Sequence, residues 1–150
     1  MARAGRNDDV VGVWSALLRL HAALVPVVDA EVTNATGTPL GSYDILLELY
    51  AAPNHRLTMT ELGNAVVLSR TRVSRVVDEL EAAGHVTRVR HPDDRRSSYA
   101  QLTDAGIGVF RKVAPVYLRS IRATLGELLS PEEAATVRSI LDGALSRLTP

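Results

Sequence analysis

A mainly α fold with one small β-hairpin is what this 150-residue sequence predicts, on three observations. Apolar residues recur at helical spacing near both ends of the chain. In its middle, two helix-start signals, Thr58 and Ser69, stand close together, and Gly84 stops the second helix. Directly after that stop, two short alternating stretches flank the turn "HPDDRR". Two helices joined by so short a turn form a helix-turn-helix. With a hairpin behind it, the unit is a winged helix. The expected architecture is a winged helix-turn-helix core between N- and C-terminal helices.

Taken in order, Val10, Trp14, Leu17, His21, Leu24 and Val28 alternate spacings of four and three, and Leu18 and Val25 widen this stripe. Pro26 lies inside it and is expected to kink or break the helix. "TNATGTPLGS" (33–42) consists of turn residues and reads as a loop. A helix from about Ser42 to Ala51 carries Ile45, Leu46 and Leu49, and "APNHR" closes it. Thr58 precedes Glu61 by three residues, a capping box, with Leu62, Ala65 and Val66 as the buried face behind it. Ser69 caps the next helix, which runs to Ala83. His85–Arg90 and Ser97–Leu102 read as strands; Ser98, Ala100 and Leu102 alternate with Tyr99 and Gln101. Thr103 starts a long helix to about Leu129, interrupted by Pro115. "SPEE" (130–133) opens the last helix, where Val137, Leu141, Ala144 and Leu148 repeat the four-three-four spacing.

The chain suits one domain with a core built from Leu, Val and Ala, since it has one Trp, four Tyr and one Phe. Without cysteine, disulfides, thiol sensing and Cys-based zinc sites are excluded. No signal-like segment is evident, and no uninterrupted apolar run approaches the ~18 residues that span a bilayer. The expectation is a soluble, cytoplasmic protein with no membrane partner.

Charge is the informative feature. The chain balances 17 basic against 17 acidic residues, yet residues 69–96 hold seven arginines. At 100° per residue, Val73, Val76, Val77 and Leu80 share one face of the second helix of the motif. Thr71, Ser74, Arg75 and Asp78 lie opposite, with Arg72 on the flank and Arg70 near the start. Short polar groups and arginines at the front of such a helix suit a DNA major groove. A solvated polar face is the bland alternative. It leaves unexplained why arginines occupy the N-terminal half and Asp78, Glu79 and Glu81 the C-terminal half, the reverse of what the helix dipole favours. An anion outside the protein is the expected compensation. Arg95 and Arg96, at the hairpin tip, suit a narrow minor groove, with Asp94 placed to pair with an arginine and direct it.

The joint pattern "LT..EL", "LS...VSR.VDELE..G.V.R", "P.DRRS" and "LT..G" resembles the DNA-binding core of the MarR (multiple antibiotic resistance regulator) family, over roughly residues 57–106. The six-helix frame fits along the whole chain. The resemblance implies a homodimeric winged-helix repressor, with a DNA-binding lobe at 42–103 and dimerisation helices at 8–34 and 104–150. It further implies a minor-groove arginine, Arg96, held by Asp94; two such helices suit a palindromic double-stranded operator, with contacts expected from Ser69, Arg70, Thr71, Arg72, Ser74, Arg75 and Arg95. Many relatives release DNA on binding small, often aromatic effectors; Trp14, His21, Tyr43, Phe110 and Tyr117 are the residues expected to line such a site.

The four histidines show no i, i+4 pair, so no metal is expected, and no cofactor. There is no G-x-S-x-G elbow, phosphate-binding glycine loop or H-E-x-x-H, so an enzyme is not expected. The competing class is a winged-helix module that docks proteins, which would need an apolar recognition face.

Overall fold

In the computed structural model, residues 2–148 are described, with side chains from residue 8 onward. The helices are α1 (Ala2–Thr36), α2 (Leu40–Ala51), α3 (Met59–Ala65), α4 (Arg70–Ala82), α5 (Asp104–Leu128) and α6 (Pro131–Leu148). The strands are β1 (Arg56–Thr58), β2 (Val86–Arg90) and β3 (Ser98–Leu102). The fold is mainly helical with a small antiparallel sheet, as expected. The expected C-terminal segment ends two residues beyond the described ones.

Side-chain hydrogen bonds explain most helix starts among the described residues. Thr58 Oγ1 accepts from the Glu61 amide at 3.2 Å while Glu61 Oε2 accepts from the Thr58 amide at 2.8 Å, completing the capping box. These bonds from Thr58 hold the Glu61 carboxyl below its ordinary pKa. At the other end of the motif Gly84 adopts a left-handed φ of 76°. The Gly84 amide donates to Glu81 O (2.9 Å) and the His85 amide to Leu80 O (2.9 Å), so α4 closes in a Schellman motif. Ser130 and Glu133 form a second reciprocal pair at the start of α6.

Two expected breaks in helix continuity do not occur. Pro26 and Pro115 both sit inside unbroken helices. Each proline frees the carbonyl four residues earlier, and those residues, Ala22 and Arg111, are exposed, where water can supply the missing donor. The loop expected at 33–42 shrinks to residues 37–39. Thr33 Oγ1 donates to Asp29 Oδ1 at 3.2 Å and Thr36 Oγ1 to Val32 O at 2.7 Å, which lets these turn-prone residues stay helical. Gly37, at φ 74°, ends α1, and Asp29 Oδ1 accepts the Leu40 amide at 2.8 Å to start α2.

β1 was not expected. It pairs antiparallel with β3 (Leu57 opposite Ala100), and β3 pairs with β2 (Arg88 opposite Ala100), giving the order β1-β3-β2. Three residues are too few to show a strand period in the sequence.

One cluster of buried side chains joins α2, α3, α4 and the sheet through Ile45, Leu46, Leu49, Leu62, Val73, Val77, Leu80 and Ala100. Ala65, expected on the buried face of α3, is exposed, whereas Leu62 and Val66 are buried. A second cluster ties α1 to α2 and α5 through Val28, Val32, Tyr43 and Val113. Ser120 Oγ also donates to Glu31, linking α5 to α1. Away from these clusters much apolar surface is open: Trp14 is 63% exposed, and no residue described in α6 is buried.

By length and composition alone, the stretch Asp8–Thr36 is long and apolar enough to cross a bilayer. Arg19 and His21 interrupt its apolar run, as read from the sequence, without making the whole stretch polar.

Candidate nucleic-acid interface

The apolar stripe of α4 settles the orientation of everything else on it. Val73, Val76, Val77 and Leu80 are buried, so Thr71, Arg72, Ser74, Arg75 and Asp78 face solvent. Ser69 Oγ accepts the Arg72 amide at 3.3 Å, so the hydroxyl of this expected contact residue serves first as the N-cap of α4. Arg75 Nε lies 3.2 Å from Glu79 Oε1, an exposed i, i+4 pair of little energetic weight. Arg70 and Arg72 have no side-chain hydrogen-bond or ion-pair partner among the described residues.

The hairpin tip is built by its own backbone. The His91 amide donates to Ser97 O (3.2 Å) and the Ser97 amide to Asp94 O (3.1 Å). Asp94 Oδ1 accepts from the Arg96 backbone amide at 2.9 Å. Asp94 therefore orders the turn that carries Arg96, and does not form the expected side-chain pair with its guanidinium. The Arg95 and Arg96 side chains are exposed and unpaired among the described residues. At the base of the wing the His91 ring stacks on Tyr99 at 4.9 Å, and the Arg56 guanidinium lies over the Tyr99 ring at 4.5 Å.

Arg88 escaped the sequence reading. It leaves β2 to meet two acids of α4, Asp78 Oδ1 through Nη2 and Glu81 Oε2 through Nη1, both at 2.6 Å. Its own amide donates to Glu81 Oε1 at 3.1 Å. The hydrogen bonds that the guanidinium donates, to Asp78 first and then to Glu81, raise the Arg88 pKa further. The acids at the back of α4 therefore have partners inside the chain, and no outside anion is needed to explain them. The signal in the sequence was Asp78 and Glu81 lying on one side of α4 ahead of a strand arginine, which only a known strand position could have turned into a contact.

The five residues expected around an effector separate into two groups. Tyr43, Phe110 and Tyr117 come together: Tyr43 stacks with Phe110 at 5.9 Å and meets Tyr117 at 4.7 Å. Tyr50, missed before, stacks on Phe110 at 4.2 Å. Burial pushes the Tyr43 and Tyr117 hydroxyls up, helped at Tyr43 by Tyr117 and at both by the nearby Asp44. Trp14 and His21 do not join this stack, and both are exposed on α1. Beside Tyr117 lies a 120 Å³ slot among Leu24, Val28, Leu40 and Ile121, smaller than typical ligand sites of roughly 300 Å³ and more. A larger open cleft, about 540 Å³, separates Asp29 and Ser42 from Arg72 and Arg75 of α4.

A helix-turn-helix with an ordered wing, a solvent-facing polar helix and unpaired arginines at both defines a winged-helix protein of the DNA-reading class. Comparison with known proteins narrows this. A family model described as "MarR family" matches residues 36–97. The transcriptional repressor MprA of Escherichia coli is 35% identical over 103 residues, covering 69% of this chain and 58% of MprA. The chain thus spans little more than half of that curated relative. Among solved structures, Sco3205 of Streptomyces coelicolor, a MarR family transcriptional regulator in complex with DNA, superposes with a TM-score of 0.79 at 32% identity, covering 92% of this chain and 87% of that one. AbsC, a MarR family regulator from the same organism, gives a TM-score of 0.77 at 29% identity, covering 91% of each chain. This chain belongs to the MarR family, a family of transcription regulators and not of enzymes.

Proposed function

We propose that this protein is a homodimeric, sequence-specific transcriptional repressor acting in the cytoplasm on a palindromic operator. The observation that carries the reading is the set of four unpaired guanidinium groups, Arg70 and Arg72 at the front of α4 and Arg95 and Arg96 at the hairpin tip. Each lies on an exposed surface where a bound polyanion supplies the missing partner. In this reading residues 42–103 form the reading lobe. Thr71, Arg72, Ser74 and Arg75 face base edges in the major groove, Ser69 and Arg70 face phosphate at the start of α4, and Arg95 and Arg96 address the minor groove. Asp94 contributes by ordering the Arg96 backbone.

What a single chain leaves uncovered supports dimerisation. Val10, Val13, Trp14 and Leu17 on α1 and Ile140, Leu145 and Leu148 on α6 are exposed, large apolar side chains of the kind that interfaces cover. A second copy that pairs the helices of residues 8–34 and 104–150 buries them and sets two copies of α4 about 34 Å apart, one duplex turn. The DNA complex of the related Sco3205 supports the partner class. A small effector fits the same scheme: seated between α1 and α4, where Asp29 faces Arg72 and Arg75, it changes the lobe's angle or occupies the arginines directly.

A gel shift on the DNA upstream of the protein's own gene tests the reading. Arg75→Ala and Arg96→Ala should each abolish the shift while dimer mass and helicity stay as in the wild type. Log affinity should fall against log salt by about 0.9 per phosphate contact. Unchanged affinity in both variants, or a flat salt response, sinks the assignment. A protein-docking module would need an apolar recognition face, and the outward face of α4 is Thr, Ser, Arg and Asp.

A further inference from the structure

Arg88 is not among the side chains that the DNA-binding reading places on DNA, yet it has the densest set of charged contacts among the described residues. One side chain of β2 reaches two carboxylates on α4, and its backbone amide binds a third oxygen. The two acids lie three residues apart, on one side of the helix. The guanidinium is planar and forked, so a grip on both through separate nitrogens fixes distance and rotation together. With its side chain 31% exposed, Arg88 sits at the seam between helix and wing.

We propose that Arg88, with Asp78 and Glu81, is a positioning clamp that holds the wing and the recognition helix as one rigid reading head. The proposal rests on the DNA-binding reading above and adds to it a residue that acts without touching DNA. Without the clamp, the β2–β3 hairpin is tied to α4 through the Schellman turn at Gly84 and the apolar contacts of Val86 and Ala100. The tip bearing Arg96 then moves relative to Arg72 and Arg75, and fewer geometries let both sets of arginines meet one duplex. The clamp also gives Asp78, which lies on the DNA-facing side of α4, a use that outweighs its repulsion of phosphate.

The sign of one substitution separates this from plain electrostatics. Removing two negative charges from a DNA-facing helix should tighten DNA binding if charge alone matters. The clamp predicts that Asp78→Asn with Glu81→Gln weakens it, by about tenfold, within the range of couplings measured inside one charged network. Arg88→Met should lose a similar factor without changing the salt slope, whereas loss of a phosphate contact would lower that slope by ~0.9. Arg88→Lys, a point charge without the fork, should recover only part of the loss. Amide hydrogen exchange on the DNA-free protein supplies a second readout, faster exchange across residues 86–102 in both the Met and the double variant.

Tighter binding by the acid-to-amide variant overturns the clamp, as does a salt slope that drops in Arg88→Met, or wing exchange equal to that of the wild type. Failure of the wild type to bind any upstream DNA refutes the DNA-binding reading. In that case the exchange measurement still decides whether the wing depends on Arg88.

Discussion

Gly106 tests the packing argument where sequence reasoning points the wrong way. It sits in the first turn of α5, and a glycine inside a helix is a position where alanine ordinarily adds about 1 kcal/mol of stability. Here a Cβ would overlap the carbonyl oxygen of His85 and lie 3.0 Å from both the His85 carbonyl carbon and Leu102 Cδ2, inside ordinary contact. That carbonyl cannot swing away freely. It accepts the Thr103 amide at 3.1 Å, while Thr103 Oγ1 donates to Gly84 O at 2.7 Å and accepts the Gly106 amide at 3.1 Å. Moving α5 outward loosens bonds worth roughly 1 kcal/mol each, on top of ~1–3 kcal/mol for overpacking. After the gain in helix propensity, Gly106→Ala should destabilise the protein by about 2 kcal/mol, a fall of about 4–8 °C in Tm for a chain of this size. Gly108 is two residues further along the same helix, and a Cβ there meets nothing within 4 Å. Gly108→Ala should therefore raise Tm by about 2–4 °C. Thermal melts followed by helical circular dichroism, at one fixed chain concentration, compare the two. If Gly106→Ala melts at or above the wild type, the close approach of α5 to the α4–β2 junction is wrong.

Two further outcomes follow from burial. Burial first, then the negative charges of Glu48 and Asp29, raise the pKa of Asp44. A carboxyl with a folded pKa above its unfolded one favours the native state below the unfolded value, ~3.9, and loses that contribution as pH rises through the folded value. Asp44→Asn should thus be more stable than the wild type at pH 7 in urea melts, with the gap closing near pH 4; a gap that does not change with pH contradicts the reasoning. Ile140, 63% exposed on α6, should be covered in the dimer, so Ile140→Glu should reduce the mass seen by light scattering. The emission of Trp14, the sole tryptophan, should shift red in parallel. A dimer of unchanged mass would remove α6 from the interface.

Local chemistry made much of this fold legible. Thr58, Ser69, Thr103 and Ser130 each bind an amide within their own helix's first turn, and Gly84 needs only its missing Cβ to end α4. The period of Val73, Val76, Val77 and Leu80 chose the buried face of α4, which left its polar face outward. These are interactions over three or four residues, so sequence spacing is nearly the same thing as geometry. The glycine of the "LT..G" pattern, by contrast, was visible only as a letter; its reason is the His85 carbonyl, brought near by the wing's return. The same holds for β1, for Arg88, and for the division of the aromatic residues between a buried stack and an exposed helix. Pro26 and Pro115 lie within continuous helices, and the residues whose carbonyls they free, Ala22 and Arg111, are exposed, a property of the assembled surface. Contacts between residues far apart in the chain depend on how elements are placed, and neither spacing nor residue type encodes that placement, so tertiary structure alone decided them.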